Sequence, residues 1–125
     1  IAVATWTHYR DRFWREQPEA AFRQLTGRSL SRAVHAVAYR SSANDNVLHQ
    51  THYWLLKGSV ESLRQVIAGT SFERSDDDAR AVAVRASQAL QMNLSPDAIL
   101  EGYEWERDRD SWYLILNDGR SIYVQ

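Results

Sequence analysis

The most regular alternation of apolar and polar positions lies at the carboxyl end of the chain. Two β-rich runs, residues 112–116 and 121–124, are separated by a segment that contains Asp118-Gly119. This dipeptide between apolar runs is a strong local signal for a β-hairpin. Residues 103–107 alternate Tyr, Glu, Trp, Glu and Arg, which is typical of a half-exposed strand. We therefore predict a closing three-stranded antiparallel meander.

Helical spacing dominates the amino-terminal part. Residues 8–17 carry Tyr9, Phe13 and Trp14 at helical spacing, Pro18 interrupts the pattern, and residues 19–26 continue it up to Gly27. Proline breaks a helix interior, and glycine is favoured just after a helix end. The pattern predicts two short helices or one kinked helix, with the aromatic stripe in the core.

The middle of the chain combines a second hairpin with further helices. Residues 32–40 and 47–57 are strand-like and flank a run of turn formers at 41–46. Ser59 predicts a helix start that runs to about residue 68, and Ser75 with Asp76–Asp78 predicts another that runs to about residue 90. Ser95-Pro96 indicates a further turn or short helix.

This order of elements predicts an α+β fold over a single domain, residues 1–125. It consists of N-terminal helices, a β-hairpin, two to three helices and the three-stranded meander, with helices packed on an antiparallel sheet. One sheet is the simplest arrangement, and two small sheets are the alternative. A chain of 125 residues has the usual size for one hydrophobic core.

Composition excludes several functional classes. The net charge of -1 lacks the basic field that non-specific nucleic-acid binding requires, so no nucleic-acid partner is expected. The chain has no cysteine, which excludes disulfides, thiol catalysis and cysteine-based zinc sites. Lys57 is the only lysine among many arginines, a bias typical of a GC-rich bacterial genome. No phosphate-binding glycine loop is present, and no cofactor is expected.

The first residues leave two interpretations of location open. The chain begins with Ile1, and its apolar start ends in Trp6 and is followed by arginines. This is the pattern at the exit of a removed signal or membrane anchor with an interfacial aromatic, and equally of a first strand or helix. The prediction is a periplasmic or membrane-anchored protein, with a cytoplasmic location as the alternative.

Three histidines form the first candidate site. If the loop covers residues 41–46, the hairpin places His35 directly opposite His52 and puts His49 on the other face, whereas a bulge or a one-residue slip would bring His49 and His35 together instead. Two neighbouring imidazoles joined by a carboxylate could bind zinc or act as acid and base. The alternative is that each histidine is an ordinary strand residue, because no third ligand occurs at a fixed spacing.

Two carboxylates form the second candidate site. Glu104 and Glu106 are two residues apart on a strand, so they share a face about 7 Å apart. The expected register places them beside Tyr113, opposite a core face that carries Trp105 and Leu114. Paired carboxylates can catalyse glycoside hydrolysis, but this alternation is also typical of an exposed sheet face.

The charged strand and turn around these residues suggest a surface for a protein partner. Arginine and aromatic side chains anchor protein interfaces, and charges at the rim select the partner. The candidate partner-binding residues are Glu104, Glu106, Arg107, Arg109, Tyr113 and Trp54.

The layout from residue 32 onward resembles a known class of proteins by pattern. It comprises a strand, the run 47–59, a helix over 60–68 and the strand 112–116. This layout resembles small bacterial α+β domains, including secreted or lipoprotein-anchored domains and toxin-neutralising immunity proteins. The resemblance implies a non-enzymatic binding role and, for many members, the periplasm.

The leading hypothesis is therefore a bacterial immunity- or inhibitor-type protein that recognises another protein. The first alternative is a metal-dependent or acid-base hydrolase centred on His35 and His52. The second alternative is the soluble domain of a membrane-anchored assembly component.

Overall fold

Helices cover both faces of a six-stranded antiparallel sheet. The computed structural model describes residues 2–43, 50–105 and 108–125, with side chains at 9–42, 50–95, 97–105 and 111–125. The strand order is β1-β2-β6-β5-β4-β3, which confirms the α+β class and the single sheet. The elements are α1 (Ala2–Glu16), α2 (Pro18–Thr26), β1 (His35–Ala43), β2 (Gln50–Lys57), α3 (Val60–Gln65), β3 (Phe72–Arg74), α4 (Ala79–Ala89), a 3-10 turn (Pro96–Ala98), β4 (Ile99–Trp105), β5 (Asp108–Leu116) and β6 (Arg120–Val124).

Local signals set the helix ends. Pro18 opens α2, and Gly27 closes it at φ 73°, with its N–H donating to the Arg23 carbonyl. The two-helix alternative is thus confirmed. The Ser59 hydroxyl accepts a hydrogen bond from the Ser62 N–H, as a helix cap does, although α3 ends three residues earlier than predicted. Helix α4 begins at Ala79, directly after the acidic run, whereas the sequence predicted a start at Ser75 with Asp76–Asp78 in the first turn.

The closing meander is also confirmed. Gly119 occupies the turn between β5 and β6 at φ 80°, a conformation that glycine adopts without strain. Strand β4 then pairs with the other side of β5. A short additional strand, β3, pairs with β4 and places Phe72 opposite Trp105. This strand was not predicted, because three residues are too few to show a period.

Side chains from both faces of the sheet are buried. Helices α1 to α3 cover one face, and α4 covers the other. The first core contains Trp14, Ala21, Phe22, Val34, Tyr39, Trp54, Leu56, Leu63, Val66, Ile67, Tyr113, Ile115 and Tyr123. The second core contains Tyr53, Ala79, Val82, Ala83, Ala86, Leu90, Trp112, Leu114, Leu116, Ile122 and Val124. The expectation of one core face and one exposed polar face is therefore wrong for the central strands.

Candidate functional site

The first hairpin has a different register from the predicted one. Ala43 pairs with Gln50, so strand β1 continues through part of the predicted loop. His35 consequently lies opposite Lys57, and His52 lies opposite Ser41. Lys57 and His52 are five residues apart on β2, which corresponds to about 17 Å. The predicted cross-strand pair of His35 and His52 is wrong, and the hydrolase alternative loses the geometry on which it was based.

His52 lies in an aromatic environment between β2 and α1. Its Nδ1 atom is 2.7 Å from the hydroxyl of Tyr39, and its ring meets Trp14 edge-on at 6.3 Å. Burial, together with the charge of Arg10, lowers the pKa of His52. Burial also raises the pKa of Tyr39 to about 12. The phenol of Tyr39 therefore stays protonated and donates a hydrogen bond to the neutral imidazole of His52.

A carboxylate next to this pair has structural partners. Asp11 on α1 accepts a hydrogen bond from the Ser41 hydroxyl and forms an ion pair with Arg15 at 3.0 Å. His35, by contrast, is exposed and lies 3.3 Å from Glu19. Within the described residues no group of three or more potential metal ligands occurs. The hydrogen bond between Ser41 and Asp11 attaches α1 to the edge of the sheet.

The second candidate site also differs in register. Tyr103 pairs with Tyr113, and Glu104 pairs with Trp112, so Glu104 lies on the α4 face of the sheet. The prediction that Glu104 lies beside Tyr113 is wrong by one residue. Its physical cause is the irregular pairing of β4, which is interrupted on both sides of the regular stretch. Glu104 is half-buried, opposite Glu73 on β3.

Two of the six predicted partner-binding residues belong to the core. Trp54 and Tyr113 are both 0% exposed, so the prediction that they lie on the surface is wrong. The Tyr113 hydroxyl donates to the Leu63 carbonyl at 2.7 Å and accepts from the Ser121 hydroxyl at 2.9 Å. Tyr113 thus fastens α3 to the sheet, and its polar end is satisfied internally.

The side chains of three predicted partner-binding residues lie outside the described part of the structure. Glu106 and Arg107 lie outside the described residues. Arg109 lies on strand β5, with its side chain outside the described part. Their role, like that of Glu104, stays a prediction.

An ion pair between a half-exposed arginine on α3 and a buried carboxylate on β4, which the sequence did not reveal, connects the two elements. Glu101 is 5% exposed and accepts from the Arg64 guanidinium at 2.8 Å and 2.6 Å, and from the Tyr103 hydroxyl at 2.5 Å. The bond from Arg64 holds the pKa of Glu101 below its usual value. The carboxylate is therefore ionised near neutral pH and fully engaged, which gives it a structural role.

An acidic depression of about 470 Å³ at the start of α4 is lined by Asp76, Asp77, Arg80 and Asp97 together with two apolar residues. Asp76 accepts from Arg74 at 2.7 Å and from the Gly102 N–H at 2.9 Å. These bonds lower the pKa of Asp76 and join the helix start to β4. Asp76, one of the residues that line the depression, therefore has a structural role.

The exposed face of α1 has the chemistry of a binding surface. Tyr9 is 63% and Phe13 52% exposed, whereas Trp14 is 6% exposed. The predicted burial of the aromatic stripe is therefore correct for Trp14 alone. Together with Arg10 and Gln24 these residues line a groove of about 470 Å³, which we call the α1 groove.

Comparison with known proteins does not assign this fold or groove to a family. No family model, curated protein or solved structure shows a significant match to the chain. In the described part of the chain no helix is long and apolar enough to cross a membrane. The predicted bacterial source and periplasmic or membrane-anchored location stay predictions.

Proposed function

We propose that the protein is a non-enzymatic binding domain that recognises another protein through the α1 groove. The observation that carries this proposal is the exposure of two large aromatic side chains, Tyr9 and Phe13, beside a cavity of about 470 Å³. Contiguous exposed apolar surface of this kind is characteristic of interaction sites. The proposal keeps the predicted class of function and moves the surface from the sheet to the helical layer.

The floor of the groove is held in a fixed position. Trp14 donates from its ring N–H to Gln24 at 3.1 Å and packs edge-on against Tyr39 at 6.0 Å. The Arg10 guanidinium lies over the Trp14 ring, 4.9 Å from its centroid, a favourable cation–π distance. An aromatic residue and an arginine held in place before binding are typical anchors of protein interfaces, because little side-chain entropy is lost on binding.

The charges around the groove define the partner. Asp11, Glu16 and Glu19 are engaged with Arg15, Arg12 and His35 respectively. Arg10, the one cation among the described residues that line the groove, forms no ion pair with a described carboxylate. The groove therefore combines apolar contact surface with one cation available to a partner. We infer that its occupant is an amphipathic segment of another protein that presents an apolar anchor beside aspartate or glutamate side chains.

The test compares three forms of the protein as affinity baits in extracts of the source organism. Phe13→Ala removes an exposed anchor of the groove, and Val84→Ala removes a side chain of similar exposure, 53%, on α4. The partner is the protein retained by the wild type and by Val84→Ala. We expect its affinity for Phe13→Ala, measured with purified proteins, to fall at least about tenfold.

Two further measurements test the chemistry of the partner. Arg10→Gln should weaken binding less than Phe13→Ala, and of these two variants only Arg10→Gln should reduce the salt dependence of the affinity. The mapped binding segment should contain acidic and apolar residues. Equal binding by Phe13→Ala and the wild type, or a basic binding segment, would refute the α1 groove as the site. Absence of any stoichiometric partner would refute the binding function.

A further inference from the structure

A partly buried arginine, Arg28, lies in the loop that follows α2. The N–H of Arg28 donates to the Thr26 hydroxyl at 3.2 Å, directly after the left-handed turn at Gly27, which fixes where the Arg28 side chain enters the fold. The Nη1 atom of Arg28 is buried and has no hydrogen-bond partner in the described structure. A buried donor of a charged group without an acceptor is costly, so this atom favours an acceptor from outside the chain.

Arg28 is also a wall residue of two cavities. One has a volume of about 130 Å³ and lies between the loop and α3. The other has a volume of about 240 Å³ and opens between the loop and the ends of the central strands. Its lining residues are Thr26, Arg28, Trp105, Ser111, Tyr123 and Gln125. We call this second space the Arg28 cavity.

The walls of the Arg28 cavity suit a small anion. Among the described lining residues, Arg28 contributes the one charged side chain, and the polar remainder consists of hydroxyl groups and a carboxamide. Burial raises the pKa of Tyr123, and both the charge of Arg28 and a hydrogen bond between the Arg28 side chain and the Tyr123 hydroxyl oppose this effect, so Nη1 alone is left without a partner in the described structure. Arginine binds carboxylates and phosphates through its planar set of donors.

The cavity also has a flat apolar wall. The Trp105 ring is held edge-on by Phe72, with the ring centroids 4.9 Å apart and an angle of 83° between the planes. The amide nitrogen of Gln125 donates to the Leu25 carbonyl at 2.8 Å, which fixes the opposite wall to α2. A fixed cavity that combines convergent polar groups with an aromatic wall is the usual form of a small-molecule site.

We propose that the Arg28 cavity binds a small organic oxyanion, a carboxylate or a phosphate monoester, carried on a flat apolar body. Arg28 holds the anionic oxygens, the Tyr123 hydroxyl supplies a further hydrogen bond, and the ring of Trp105 packs against the body of the ligand. This site is separate from the α1 groove and does not depend on protein recognition there.

The test is a titration of the whole chain with four probes, followed by NMR through the indole N–H signal of Trp105 and by calorimetry. Benzoate and phenyl phosphate carry the two candidate anions on the same ring. Benzamide is the neutral counterpart of benzoate, and inorganic phosphate lacks the ring. We expect saturable binding of benzoate or phenyl phosphate, at least about tenfold tighter than that of benzamide.

The variants locate the site. Arg28→Gln should weaken binding of the preferred anion at least about tenfold, whereas Arg32→Gln, at an exposed position in the same loop, should leave it unchanged. If Arg28→Gln does not fold, Tyr123→Phe removes only the hydroxyl and should weaken binding of the same anion. Equal binding of benzoate and benzamide, no saturation by either aromatic anion, or binding unaffected in both cavity variants would overturn the proposal. Binding of inorganic phosphate alone would overturn the role of Trp105.

Discussion

Burial gives His35 and His52 opposite surroundings. The side chain of His35 is 68% exposed and faces Glu19. His52 is enclosed by Trp14, Tyr39 and Trp54, and its Nδ1 accepts from the Tyr39 phenol. Protonation of Nδ1 would remove the acceptor of this hydrogen bond and would place a positive charge where water is largely excluded. The folded state therefore favours neutral His52.

The lowered pKa of His52 predicts a pH dependence of stability. The ordinary pKa of histidine is 6.5, and in the folded chain the pKa of His52 is lower. Just below pH 6.5, His52 therefore binds a proton in the unfolded chain but not in the folded chain. The free energy of unfolding is therefore highest above this pH and decreases as the pH falls through the window between 6.5 and the lowered value. Urea denaturation across this window should show the decrease in the wild type and not in His52→Gln.

His35→Gln is the matched control for this prediction. It leaves the contact between Tyr39 and His52 in place, so the part of the pH dependence that comes from His52 should remain. Identical slopes for the wild type and His52→Gln would contradict the assignment of a protonation penalty to this residue.

At the scale of elements, local sequence signals determine the helix ends, whereas long-range contacts determine the strand register. Pro18, Gly27 and Ser59 set helix ends within a few residues, so these ends are visible in the sequence. The β1–β2 register is not visible in the sequence, because β1 continues into the turn-forming residues 41–43. Contacts such as that of Ser41 with Asp11 on α1 hold these residues in the strand. The interrupted pairing of β4 likewise depends on its neighbours. Both candidate sites depended on these registers, and both were therefore misplaced.

The contact between α4 and β4 predicts an element-scale effect. A Cβ atom at Gly102 would lie 2.5 Å from the Ala79 Cβ and 3.1 Å from the Ser75 carbonyl oxygen. Gly102→Ala should therefore push the first turn of α4 away from the strand and lower the free energy of unfolding by about 1–3 kcal/mol. Urea denaturation provides the measurement.

A double variant tests whether this particular contact is the cause. Ala79→Gly removes the closest atom, at its own cost of about 1 kcal/mol to the helix. In combination with Gly102→Ala it should lose less stability than the sum of the two single variants. Simple additivity would show that the destabilisation arises elsewhere.

At the scale of the whole molecule, one sheet carries two cores. Neighbouring residues of β5 contribute to opposite faces, Leu114 to the core under α4 and Ile115 to the core under α1 to α3. Residues 112–116 form a continuous apolar run in the sequence, and such a run indicates a strand that is buried on both faces. The α1 groove was not predictable because it depends on how α1 packs on α2, and the Arg28 cavity was not because it depends on how the loop after α2 meets strand ends distant in sequence.

The shared sheet predicts a single cooperative unfolding transition. Leu114→Ala and Ile115→Ala should each lower the free energy of unfolding by about 2–5 kcal/mol, because both side chains are fully buried. In each variant, far-UV circular dichroism and tryptophan fluorescence should report the same midpoint. Separate midpoints in either variant would mean that the two cores unfold independently.

The two outer strands of the sheet, β1 and β3, are the places where a strand of another molecule could add to it. Strand β3 has only three residues, and β1 has an irregularity between Ala36 and Ala38, next to the exposed Val37. Arg40 also donates to the Tyr39 carbonyl at 2.7 Å, so a side chain of the same strand occupies this acceptor. Short or irregular borders are poor templates for strands of another molecule. The native fold therefore disfavours growth into cross-β fibrils at both borders, although its central strands are strongly apolar.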